Sequence, residues 1–193
     1  MNLGIVVEGP SDGAAYRKLL PRIRTDINEF QIRECGGKSR LKHGFVNLLA
    51  EFQRNPAWQI NLALVIRDSD CEPPQPIEGK LRNILATSDL RAEFPVKFFA
   101  IPCMLESWLL SDLNAIRTVA VNRGHRVPIA PFNNPIASAN SSDDKDVFAA
   151  VLLHFGLSPT PPVYGEIAVV ADLTMVGNRC NYFREFTRRI KAI

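Results

Sequence analysis

Short apolar, β-branched blocks alternate along the first half of the chain with longer segments whose apolar positions recur at helical spacing. Leu3–Glu8, Phe30–Glu34, Leu62–Arg67 and Val96–Ile101 read as strands. Between them, residues 12–23 carry Ala14, Ala15, Leu19 and Leu20 at helical spacing, with Ser11 placed to cap. Residues 41–52 put Phe45, Leu48, Leu49 and Phe52 on one face, and residues 77–87 form a third helical segment. Gly36-Gly37 breaks the second strand, and Pro73, Pro74 and Pro76 are assigned to a loop. Strands separated by helices of about this length predict right-handed βαβ crossovers and a parallel sheet. The nearly unbroken hydrophobicity of the first and third strands predicts burial on both faces.

Beyond residue 106 the strand pattern stops. Residues 107–121 read as one helix burying Trp108, Leu109, Leu110, Leu113 and Ile116. Residues 124–140, rich in Pro, Asn and Ser, read as a long loop. Segments 143–155, 165–173 and 182–190 read as helices. The expected architecture is α/β: a three-layer Rossmann-like core over residues 1–110 with a mostly parallel four-stranded sheet, and a helical cap over 111–193 packed on it as one domain.

Composition adds little that is specific. The chain has 193 residues, 46% hydrophobic and 22% charged, the globular range. Its net charge of +3 does not by itself argue for a nucleic-acid partner, although Lys and Arg gather at 17–24, 38–42 and 179–191. Cys35, Cys71, Cys103 and Cys180 form no CxxC, which disfavours zinc, and buried reduced thiols are expected. Met1 leads straight into a strand and no apolar run nears the ~20 residues that span a bilayer, so a cytoplasmic protein without a membrane partner is expected.

The chemistry lies in the carboxylates. Glu8 ends the first strand, and Asp68 and Asp70 follow the third, two apart and therefore on one side of an extended chain. In open α/β sheets the carboxyl ends of the strands are the ligand edge. Like charges gathered there need a cation, and hard oxygen donors suit Mg²⁺ or Mn²⁺. Glu8, Asp68 and Asp70 are therefore the candidate catalytic and metal-binding residues, with Asp12 and Glu106 as further metal ligands. Against this stand plainer readings: Asp12 and Glu106 as first-turn helix carboxylates, and Asp68-Ser69-Asp70 as a solvated turn. Gly9 and Lys38 are candidate phosphate-binding residues, although Gly36-Gly37-Lys38-Ser39 lacks the spacing of a phosphate loop. Arg184 and Arg188 are candidate nucleic-acid contacts, against a solvated face. The three histidines have no partner spacing, and no nucleophile motif occurs.

A Glu closing the first strand and a DxD about 60 residues later resemble a Toprim domain. The stretches VVEGPSD, GGKSRL, VIRDSDCE and IPCMLESWLLSD together resemble a bacterial Toprim-like family, domain of unknown function 4276, allied to the OLD-type nucleases. The resemblance covers residues 3–110 well and the rest loosely. It implies a Toprim/Rossmann-like fold and Mg²⁺- or Mn²⁺-dependent phosphodiester hydrolysis on nucleic acid, with DNA ahead of RNA, in genome maintenance or phage defence. It also implies Glu106 as the later acidic residue of the OLD-type pattern. OLD-type proteins usually carry an ATPase domain in the same chain; if an ATPase is needed here, the resemblance makes it a separate partner protein. Two alternatives stand beside it. One is a non-catalytic metal- or phosphate-binding partner subunit, and the other is a phosphatase of small molecules.

Overall fold

The structure is a computed structural model and describes residues 1–127 and 143–193. Its four strands, β1 (Asn2–Val7), β2 (Glu29–Glu34), β3 (Leu62–Asp68) and β4 (Val96–Ile101), form one sheet in the order β2-β1-β3-β4. Every pairing is parallel, with Ile5 opposite both Ile32 and Leu64, and Asp68 opposite Ile101. The first crossover, through α1 (Pro10–Ile23), moves the chain outward to β2. The next two, through α2 (Lys38–Arg54) and α3 (Pro74–Ala86), move it the other way. Right-handed crossovers in opposite directions lie on opposite faces of a sheet.

Side-chain alternation follows from this. Leu3, Ile5 and Val7 of β1, with Leu64, Ile66 and Phe99, pack in the layer that contains α1. Val6, Ala63, Val65, Phe98 and Ala100 pack against α2 and α3. Both faces are buried, as the unbroken apolar runs require. Gly4 belongs to the second face, where a Cβ would stand 2.6 Å from the Phe52 ring; only glycine lets α2 lie this close to β1.

The remaining helices are α4 (Leu105–Leu110), α5 (Leu113–Asn122), α6 (Asp144–His154), α7 (Pro161–Val170), α8 (Leu173–Arg179) and α9 (Asn181–Lys191). They extend the α1 layer. Trp108 meets Phe183 and Phe186 at ring separations of 5.1 and 4.8 Å, and Tyr16 at 6.2 Å. Across the outer edge of β4, Glu78 of α3 accepts two hydrogen bonds from Arg189 of α9, at 2.8 and 3.1 Å. The same pair takes up the edge itself: Ala100 N–H donates to Glu78 (3.0 Å) and Arg189 donates to the Phe98 carbonyl (3.1 Å). An exposed strand edge is thereby closed to further pairing.

Several elements differ from the sequence pattern. The single helix expected over 107–121 is two, because the Asp112 carboxylate caps α5 through the N–H groups of Asn114 and Ala115. Pro74 opens α3 rather than lying in a loop, and Pro161 opens α7 four residues before the expected start. Proline suits the first helical position, whose N–H has no intrahelical partner. The helix α8 has no counterpart in the sequence reading. The loop expected over 124–140 lies, from residue 128 on, outside the described residues. Cys71 and Cys103, expected as thiols, form a disulfide with Cα atoms 3.9 Å apart. The parallel register that sets Asp68 beside Ile101 carries these two residues together, across 32 positions of sequence. Among the described residues no helix is long and apolar enough to cross a membrane.

Candidate active site

The reversal of winding falls between β1 and β3, where neighbouring crossovers leave on opposite faces and open a crevice at the carboxyl edge. A cleft of about 440 Å³ lies there. Glu8 follows β1, Asp12 stands in the first turn of α1, Asp68 ends β3, and Glu106 stands in the first turn of α4; all four line the cleft.

Each carboxylate is held. Glu8 Oε1 accepts the backbone N–H of Asp68 at 3.1 Å and lies 3.8 Å from Arg67 Nε. Asp12 accepts the Gly9 N–H at 2.9 Å, so α1 is capped from Gly9 and Asp12, not from Ser11. Asp68 accepts the N–H of Leu105, the first residue of α4. Glu106 is 7% exposed and accepts the Tyr164 hydroxyl at 2.8 Å.

Burial and mutual repulsion dominate the electrostatics. Burial raises the proton affinity of Glu8, opposed by Arg67, the Asp68 N–H, Lys38 and Lys145. Asp12 is pushed up to about 7 by burial, with Glu8 and Glu106 adding to the shift. Asp68 is raised well above the usual carboxylate range by burial and by Asp12, Glu106 and Glu8. The Tyr16 hydroxyl, close enough to feel all four carboxylates, is buried without a hydrogen-bond partner among the described residues. Like charges gathered this closely favour any positive charge brought among them.

The inner group is thus Glu8, Asp12, Asp68 and Glu106. Asp70 stands at the rim, exposed and ion-paired with Lys38. The strand alternation that would align it with Asp68 ends at residue 68. The chain then turns through Asp70 and Cys71 at φ 49° and 63°, with Glu72 N–H closing on the Ser69 carbonyl. Gly9 lines the cleft, and Lys38 borders it through Asp70. Arg184 and Arg188 lie on α9 outside the cleft, bonded to Asn181 and Glu185. Among the described residues no three His, Cys, Asp or Glu side chains converge as a ready metal cage.

The cleft also contains Lys145 and Tyr164, which sequence reasoning did not reach. Lys145 is positioned by its neighbour Asp144, which is 1% exposed and bonded to Ser107 at 2.5 Å. Tyr164 reaches Glu106 because α7 lies closely on α1, where a Cβ on Gly165 would stand 3.3 Å from the Ala14 carbonyl. No spacing signal announces either residue; a tyrosine on an apolar helix and a lysine among acids are ordinary in sequence.

No family model and no curated protein matches this chain. Among solved structures it is similar to the C-terminal region of the Burkholderia pseudomallei OLD protein, with a TM-score of 0.47 and 16% identity, over 98% of this chain and 96% of that one.

Proposed function

We propose that the protein is a divalent-metal-dependent phosphodiester hydrolase acting on nucleic acid, DNA ahead of RNA. The observation that carries the reading is the gathering of Glu8, Asp12, Asp68 and Glu106 from four separate elements at the switch point, with burial and mutual repulsion raising the proton affinity of Asp12 and Asp68. The sequence resemblance of VVEGPSD and VIRDSDCE to Toprim domains points the same way.

The donor set fits Mg²⁺ or Mn²⁺. It is all oxygen, and Mg²⁺ is ordinarily held by one or two carboxylates together with waters and substrate phosphates rather than by an all-protein cage. Glu8 and Asp68 would hold the ion, with Asp12 and Glu106 available to a second and Asp70 at the rim. When bound, the ion supplies a Lewis acid for the phosphoryl oxygen and lowers the pKa of its water. The chain's own groups do the rest. Gly9 leaves room for close approach of a phosphate to the cleft floor. Lys145 and Lys38 offset the charge of a polyanion entering an acidic site. Tyr164 fixes the direction of the Glu106 carboxylate, and Leu105 N–H fixes that of Asp68.

Calorimetric titration of Mn²⁺ into wild type and Asp68→Ala, followed by cleavage assays on labelled single- and double-stranded DNA, tests this. The expected result is binding and metal-dependent cleavage by the wild type, with both reduced by at least about 100-fold in the variant. A wild type that neither binds Mn²⁺ nor cleaves overturns the reading.

A further inference from the structure

Behind the acidic cleft lies a second, smaller cavity of opposite sign. It occupies about 210 Å³ between α2 and α3, and Lys38, Lys42, Arg67 and Lys80 line it, with Glu72 its one acid. Its floor is apolar, formed by Ile77 and Leu81, which are 5% and 1% exposed. Four cations against one acid leave the cavity net positive, and the nearly buried Arg67 at its wall would bond an anion more strongly than an exposed group does.

Most of the donors are not spent on the protein. Arg67 is nearly buried, with a side chain 11% exposed; its Nε donates to the Asp68 carbonyl at 3.2 Å and faces Glu8. Its two Nη groups, with four of the five guanidinium N–H donors, have no hydrogen-bond partner among the described residues. Lys42 and Lys80 make no hydrogen bond or ion pair among them either. The cavity is below the ~300 Å³ at which sites for drug-sized ligands begin, so it suits one small group. It shares a wall with the acidic cleft. Arg67 reaches Glu8 at 3.8 Å, and Lys38 pairs with Asp70 on the cleft rim.

We infer that this cavity is a phosphate subsite, in which Lys42, Arg67 and Lys80 hold one phosphate of the substrate strand beside the phosphate presented to the carboxylates. The inference rests on the nucleic-acid reading for the source of the phosphate, but not on metal binding or turnover. An anion held here positions a strand across the Arg67–Glu8 wall, and Arg67 links the two halves of the site. Phosphate contacts of this kind fix register and supply salt-dependent affinity without reading sequence.

The test is binding in EDTA, where no turnover occurs. A short labelled single-stranded oligodeoxynucleotide is titrated into wild type, the Lys42→Glu/Lys80→Glu double variant and a Lys97→Glu control, over a series of salt concentrations. Inorganic pyrophosphate serves as competitor. Lys42 and Lys80 are exposed, and matched thermal melts check that the reversal leaves the fold intact. If it does not, Lys42→Gln/Lys80→Gln replaces it. The expected result is at least a 10-fold loss of affinity in the double variant, a salt slope shallower by about 0.7 for the one phosphate lost, and competition by pyrophosphate in the wild type but not in the double variant. Lys97→Glu keeps wild-type affinity. Pyrophosphate binding that depends on Lys42 and Lys80, without oligonucleotide binding, supports a phosphate site and overturns the strand as its source. Unchanged affinity and slope in the double variant overturn the subsite. Because no metal is present, failure of Mn²⁺ to bind leaves this result standing, and the two failures are told apart.

Discussion

Tyr164 donates its hydroxyl hydrogen to Glu106 across 58 residues of sequence, at 2.8 Å in the buried wall of the cleft. The bond joins the helical layer to the carboxyl edge of the sheet. Removing the hydroxyl leaves a buried carboxylate short of a donor, which costs about 1–3 kcal/mol. Tyr164→Phe is expected to lower the melting temperature by a few degrees. It is also expected to weaken Mn²⁺ binding by about 10-fold or more, the usual effect of losing a group that orients a ligand. Phe148, whose ring packs on Tyr164 at 5.1 Å, supplies the control. Phe148→Leu should lower the melting temperature with less effect on Mn²⁺ affinity. Equal loss of metal affinity in both variants would make Tyr164 a packing residue.

Asp12 sets a pH dependence. Its folded pKa of about 7 lies above the ordinary 3.8, so the folded protein binds that proton more tightly than the unfolded chain. The associated stability is present in full below about pH 4 and is lost as pH rises towards 7. Without divalent ions, Asp12→Asn should therefore raise the melting temperature at pH 8 relative to wild type and flatten its decline between pH 4 and 7. Asparagine can still accept the Gly9 N–H, so the cap survives. With Mn²⁺ the order at pH 8 should reverse, because the cation offsets the Asp12 charge and binds the folded wild type more tightly than a variant with one carboxylate fewer. Melts at pH 5 and 8, with and without Mn²⁺, measure both. An Asp12→Asn variant less stable than wild type at pH 8 in EDTA would show that the charge is not a burden there.

Two ion pairs on α9 should behave oppositely. Arg189 and Glu78 form a two-bond pair with side chains 32% and 11% exposed, and the pair also binds the edge of β4. Glu78→Ala strands a guanidinium and the Ala100 N–H, and should cost about 3 kcal/mol. Arg188 and Glu185 are exposed, so Arg188→Ala should leave the urea midpoint unchanged. Any DNA affinity lost in Arg188→Ala is then a binding effect. Urea unfolding of both variants, beside DNA titration of the second, decides this.

Strand identity was legible in the sequence because period and composition are local. Val96–Ile101 was located to the residue, and the other three strands to within a residue. Alternating strand and helix, with unbroken apolar runs, sufficed for a parallel α/β sheet because burial on both faces leaves no polar positions. Helix ends were less legible, since caps such as Asp112 and first-position prolines such as Pro74 are defined by backbone direction.

Glu8, Asp12, Asp68 and Glu106 were visible in the sequence because strand ends and first helical turns are where carboxylates stand out. Tertiary structure decided how they are placed. The turn after residue 68 sends Asp70 to Lys38 at the rim, and the β1–β3 switch point gathers the other four. Lys145, Tyr164, the Cys71–Cys103 bridge and the cavity behind Arg67 depend on contacts between segments distant in sequence. A chain's local pattern fixes which elements form; only their packing fixes which side chains share a dielectric, and with it a function.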